Sequence, residues 1–241
     1  MEALALLHGE INDANKEIFV TNGIYRDVTD QDFIAFLASD ETMVAAMRKE
    51  RVDFQNLVER MPSNKLGNYL FKKDGNLKFK NVADHWGLDE VSFSNGAAYG
   101  DLDNDGDLDL IVNNVNQELF IYRNNSEKQS PKNHLWISFE GPGKNKFGVG
   151  ATVKAFTGGN VIMLENVPTK GFQSSMDYTM IMGLDTVEIV DSIIIDWGYG
   201  KRQILKKVKT NPHLKLSIGD SATNDSLPEK TGSPLFERKN D

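Results

Sequence analysis

Between Gly100 and Asp109 the chain reads GDLDNDGDLD, with carboxylates at Asp101, Asp103, Asp105, Asp107 and Asp109. Alternating aspartates in a tight turn aim their oxygens at one centre, and a hard cation such as Ca²⁺ takes six to eight oxygen ligands. With Asp101 as position one, acids fall at one, three, five and nine. Gly106 at six permits the sharp backbone turn. Asp107 at seven is expected to offer its backbone carbonyl and to leave its side chain towards solvent. The chemistry is cation binding.

An EF-hand needs a glutamate at position twelve and a helix on each side. Position twelve here is Val112, and the following LDLIVNN is strand-like. The loop is therefore the β-hairpin type, D-x-D-x-D-G-x-x-D. A plain solvated turn needs one or two of these aspartates, and each further close pair costs ~1 kcal/mol in water when nothing neutralises it. Many carboxylates suit the larger, less strictly octahedral Ca²⁺ better than Mg²⁺.

Other stretches carry weaker chemistry. GVGATV, from Gly148, lacks the third glycine of a dinucleotide fingerprint and runs into alternating TVKAFT, a strand where a helix is required. GPGKNK, from Gly141, lacks the spacing of a P-loop. His8, His85, His134 and His213 are scattered, without an H-x-x-x-H pair, and are expected at the surface or at strand edges. Ser174 and Ser175 in GFQSSMD have no nucleophile-elbow pattern. Gln173 and Ser174 fit a turn or sheet edge better than a binding role. Trp86, Trp136 and Trp197 are expected to be partly buried rather than to form a sugar platform.

The elements that must position the loop follow from periodicity. Glu17 to Asn22 is strand-like and closes at Gly23. Helix follows, capped by Thr29 or Asp30 with acidic Asp32 in its first turn. A second helical segment begins after Ser39 or Asp40. Its apolar positions Met43, Val44, Met47, Phe54, Leu57, Val58 and Met61 recur at helical steps until Pro62, and they are expected to pack in a core. From Asn68 the period becomes two: Tyr69 to Phe71, an Asp74-Gly75 turn, then Leu77 to Val82 form a hairpin. LDLIVNN and ELFIYRNN supply further strands, and NSEKQSPKN marks a boundary. Beyond it HLWISFEG, GATVKAFT, NVIMLENV, YTMIMGL, VDSIIIDWG, KRQILKKV and HLKLSI are short strands separated by turns, the pattern of a sandwich or barrel. The last stretch, from Gly219, lacks periodicity and is assigned to a linker or tail.

An internal repeat is also visible. HGEINDANKEIFVTN parallels YGDLDNDGDLDLIVNN but is one residue shorter, with Asn12 and Asp13 in place of the dense aspartates and Ala14 where Gly106 sits. The copy keeps the strand and loses the ligands.

Composition bounds the rest. The 241 residues are enough for one large or two modest domains; 39% are hydrophobic and 26% charged, a globular balance. A formal charge of −8 argues against nucleic acid, which needs a basic face. No run approaches the roughly 18 apolar residues of a membrane span, and MEALALLHGE has no basic n-region of a signal peptide. The absence of cysteine removes disulfides, thiolate zinc sites and cysteine nucleophiles together.

NGAAYGDLDNDGDLDLIVNN resembles an FG-GAP/VCBS repeat, the calcium-loop blade unit of integrin-like β-propellers, and NYLFKKDGNLKFKNVADHWGL is similar to the outer hairpin preceding it. The region His134 to Ile218, with GVGATVKAF, GFQSS, MGL and DSIIIDWGYGKRQIL, resembles the ASPIC/UnbV domain that follows such repeats in cartilage acidic protein-like families, including bacterial exported ones. The sequence departs from that family at GYGK after Trp197 and in the shortened first loop. The resemblance implies a mainly β chain: a partial β-propeller over 1–127 with a helical insertion around 29–62, a small β-sandwich or barrel-like domain over 133–218, and a tail over 219–241. It implies Ca²⁺ held by Asp101, Asp103, Asp105, Asp107 and Asp109, and a place outside the cytoplasm or at the cell surface. About two blades fall short of the roughly four to eight of a propeller, so the remaining blades are expected from a longer chain or by association. The expected function is a non-catalytic binding or adhesion module for protein or glycan; a glycan-active enzyme and an architectural spacer are the alternatives.

Overall fold

The computed structural model describes residues 5–10, 16–39, 58–75, 78–129, 132–198 and 200–223. The chain is mainly β and divides into two units. The first is Met1–His134 with Pro168–Asp177 and Ile181–Thr186; the second is Leu135–Val167, Tyr178–Met180 and Val187–Asp241.

In the first unit β1 (Ala5–Glu10) and β2 (Lys16–Thr21) form a hairpin. Helix α1 (Gln31–Leu37) follows, with the Asp30 carboxylate accepting from the Phe33 N–H as N-cap. After β3 (Leu66–Gly67), β4 (Tyr69–Lys73) and β5 (Phe79–Asn81) extend the first hairpin into an antiparallel sheet ordered β1-β2-β4-β5. Strand β6 (Val91–Ser92) pairs with β3. Strands β7 (Ser94–Gly100), β8 (Asp109–Asn114) and β9 (Phe120–Tyr122) form a second antiparallel meander, and α2 (Ser126–Gln129) follows. Of the expected second helical segment, residues 58–60 are helical and Met61 precedes the break at Pro62. Met43, Val44, Met47, Phe54 and Leu57 lie outside the described residues.

The two similar stretches share one register. Gly9 stands opposite Glu17 across the first hairpin, and Gly100 stands opposite Asp109 across the second. Glu17 and Asp109 are both buried, as are Val20 and Val112 three residues further on. The shortened loop, 11–15, lies outside the described residues. The asparagines that end the copies, Asn22 and Asn114, feed one buried polar network: Asn68 accepts from the Asn22 N–H and donates to Ser94 Oγ, which donates to Asn114 Oδ1. A β-carbon on Gly23 would lie 2.0 Å from the Ser94 carbonyl oxygen, which is why this strand closes with glycine. Phe19, Leu70, Ala83, Leu88, Ala97 and Val112 form the core, joined by Met176 from the late segment.

In the second unit β11 (Thr152–Thr157), β12 (Asn160–Glu165), β14 (Ile189–Gly198), β15 (Lys201–Lys209) and β17 (Ala222–Thr223) form an antiparallel sheet ordered β12-β11-β14-β15-β17. Strand β13 (Met180–Gly183) starts in this unit at Met180, and its remaining residues belong to the first. Strands β10 (His134–Glu140) and β16 (His213–Ser217) run parallel, with Trp136 opposite His213. Strands β10, β11 and β14 turn one side inward: Leu135, Ile137, Val153, Ala155, Val190, Ile193 and Ile195 are sealed from solvent. The sheets stay small, and no closed barrel forms among the described residues. The glycines of GVGATV sit in a turn, as their flanking strand required. Asn145 closes it by pairing both amide atoms with the Val149 backbone, and buried Asn166 donates to the Phe147 and Gly148 carbonyls.

Candidate metal loop

The acidic loop bridges β7 and β8. Asn104 (φ 61) and Gly106 (φ 94) both take left-handed backbone, which coils the chain around Asp105. Two carboxylates lock that coil. Asp101 accepts from the Asp105 and Gly106 N–H groups at 3.1 and 3.0 Å. Asp109 accepts from Leu102 N–H at 2.9 Å and from Asn124 N–H at 2.8 Å. Each carboxylate oxygen has two lone pairs, so both groups are oriented by the backbone and keep acceptor capacity.

The five aspartates do not face one centre. Oxygens of Asp101, Asp103 and Asp109 lie within 4.8 Å of one another; Asp105 and Asp107 gather instead with Glu127 of α2, within the same distance. Asp107 departs from expectation. Its side chain is buried, 1% exposed, with Oδ2 accepting from Ser126 Oγ at 2.8 Å and Oδ1 without a hydrogen-bond partner. The segment after β9 folds over position seven and takes it away from solvent.

Arg123 follows β9 and reaches back to the loop, with Nε 2.7 Å from Asp103 Oδ2 and Nη2 3.1 Å from Asp105 Oδ2 and 3.4 Å from Glu127 Oε1. Burial and the neighbouring charge of Asp105 raise the Asp103 carboxyl above its ordinary range, against the pull of Arg123. Burial acts the same way on Asp105, but hydrogen bonds from Arg123 and the Asp107 N–H outweigh it and hold that carboxyl low. Asp107 is pushed up to about 6, chiefly by burial.

His134 is not at the surface. It is 7% exposed, and its ring fills the space that a Gly106 side chain would need, with Cε1 2.0 Å from an ideal β-carbon there. Burial lowers its pKa, against the attraction of Asp101 and Asp105. Gly106 therefore answers two demands, a left-handed φ and a ring against its α-carbon. Arg123, Ser126, Glu127 and His134 were not singled out as loop partners by spacing, since each arrives from another element.

The remaining candidates behave as structure. His85 is exposed, and His213 Nε2 lies 3.0 Å from Ser138 Oγ; the His8 side chain lies outside what is described. Gln173 takes a left-handed turn (φ 47) and Ser174 Oγ donates to the Phe172 carbonyl. Trp197 is buried edge-on against Phe139, and Trp86 and Trp136 are half-buried.

Taken together, the chain is a mainly β protein whose first unit carries an acidic hairpin loop. Residues 141–223 match the family described as ASPIC and UnbV, which supports that domain in the part of the chain where GVGATVKAF and DSIIIDWGYGKRQIL carried the resemblance. The match begins after the acidic loop. A search among curated proteins found no match. Among the described residues no helix is long and apolar enough to cross a membrane.

Proposed function

We propose that this chain is part of a calcium-stabilised, non-catalytic extracellular binding module, in which FG-GAP/VCBS-type blades precede the ASPIC/UnbV domain. The observation that carries the reading is the convergence of Asp101, Asp103 and Asp109 oxygens within 4.8 Å on a loop whose backbone orients two of them. The donors are all hard oxygens, and Asp101 and Asp109 keep lone pairs directed by the fold, so the residues present fit Ca²⁺. Asp105 and Asp107 form the neighbouring carboxylate group with Glu127.

Binding would neutralise the loop and fix the β7–β8 hairpin, preorganising the neighbouring surface for a protein or glycan ligand. The shared register of the two hairpins supports a blade repeat, with further blades supplied by a longer chain or by association. Millimolar extracellular calcium suits a modest-affinity site.

Thermal unfolding in calcium, magnesium and chelator tests the cation. At calcium about tenfold above Kd, stabilisation is about 1.4 kcal/mol, a rise in Tm of roughly 3–6 °C. Equal melts in calcium and chelator would sink the reading. A glycan array run beside hydrolase assays tests the module: binding without turnover supports it, and turnover that survives removal of the loop acids points to an enzyme.

A further inference from the structure

Arg123 lies outside the loop in sequence, yet its guanidinium holds one oxygen of Asp103 and one of Asp105 and also meets Glu127. Two consequences follow from charge and from valence. The guanidinium removes one negative charge from the field that would attract a divalent ion. It also occupies acceptor capacity on two of the proposed ligands, while Asp105 Oδ1 already accepts from the Asp107 N–H. An incoming ion must share those carboxylates with Arg123 or displace it. Conversely, with no divalent ion bound, the same contacts relieve the repulsion among Asp103, Asp105 and Glu127.

We infer that Arg123 is a built-in counter-cation that sets the loop's affinity for a divalent ion, keeping it weak and letting the hairpin fold before the ion arrives. The inference rests on the calcium reading of the loop. It makes Arg123 an affinity-setting residue rather than a ligand. The Arg123 side chain is 49% exposed, so its effect on the ion is strongest at low ionic strength and fades as salt screens it.

The test titrates calcium into the full chain and into Arg123→Gln and Arg123→Lys, followed by calorimetry, with parallel melts in chelator. Arg123→Gln is expected to bind calcium on the order of five- to tenfold more tightly at low salt, the scale of one unit charge acting on a divalent ion about 6–9 Å away in water. The gain should shrink in high salt, the melt in chelator should fall, and Arg123→Lys should stay near the parent affinity. If the parent binds and Arg123→Gln binds equally or more weakly, Arg123 only orients the aspartates, and this inference fails while the calcium site stands. If only Arg123→Gln binds, the inference holds and the parent loop is not a calcium site at millimolar ion. If neither binds, both readings fall. Should Arg123→Gln unfold in chelator, its refolding by calcium supports the inference, and failure to refold overturns it.

Discussion

Gly106→Ala is expected to lower the stability of the chain by about 2–5 kcal/mol, the largest loss expected from any single methyl group added to the loop. Two costs combine. A residue with a β-carbon at φ 94 enters left-handed space at about 1–2 kcal/mol. The new methyl also meets the His134 ring at 2.0 to 2.4 Å, and relieving such overpacking costs about 1–3 kcal/mol. For a chain of this size the Tm should fall on the order of 10 °C. The Gly106 N–H also donates to Asp101 Oδ2, so a shift that spares the ring loosens the carboxylate that holds the coil. A double-mutant cycle separates the two costs. In a His134→Ala background the steric part disappears, and Gly106→Ala should then cost only the backbone part. An equal loss in both backgrounds would remove His134 from the account.

That pair also marks where local sequence stops being informative. The aspartate spacing and Gly106 were legible because every residue that shapes the turn lies within the turn itself. The strands of the second unit were legible for a related reason: Val153 and Ala155, or Ile193 and Ile195, alternate inward along a single element. The parallel pairing of β10 with β16 was not, because it joins strands more than 70 residues apart, Trp136 to His213, and no local period encodes it. The loop's surroundings were hidden in the same way. Arg123 reaches Asp105 across 18 residues and Ser126 reaches Asp107 across 19. The position-seven rule that sends a side chain to solvent assumes an isolated loop, and here the chain after β9 covers it. Met176 shows the same limit on a larger scale, since a residue inside the stretch that matches ASPIC and UnbV packs in the core of the first unit.

Asp107→Asn is expected to stabilise the protein by about 2 kcal/mol at pH 7.5 in chelator, an unusual sign for replacing a buried polar residue. The carboxyl is pushed up to about 6 from 3.8, chiefly because burial penalises its charge, with Asp105 and Glu127 adding repulsion. The folded chain therefore holds the proton more tightly than the unfolded one. The stability this group contributes is fully present below about pH 4, declines as the pH rises from 4 to 6, and is absent above. A shift of this size corresponds to roughly 2–3 kcal/mol, and asparagine escapes it by remaining neutral throughout. Its amide oxygen can still accept from Ser126 Oγ, and its amide N–H groups meet a carboxylate cluster in which Glu127 Oε2 is buried without a hydrogen-bond partner. Melts of parent and variant across pH 3.5 to 8 give the test: the curves should converge near pH 4 and separate by several degrees above pH 6. A constant offset at every pH would mean that packing, not charge, distinguishes the two side chains. Calcium adds a second arm. If a bound ion offsets the repulsion around Asp107, the advantage of asparagine should narrow in calcium, because the ion then does for the carboxylate what the amide does by losing its charge.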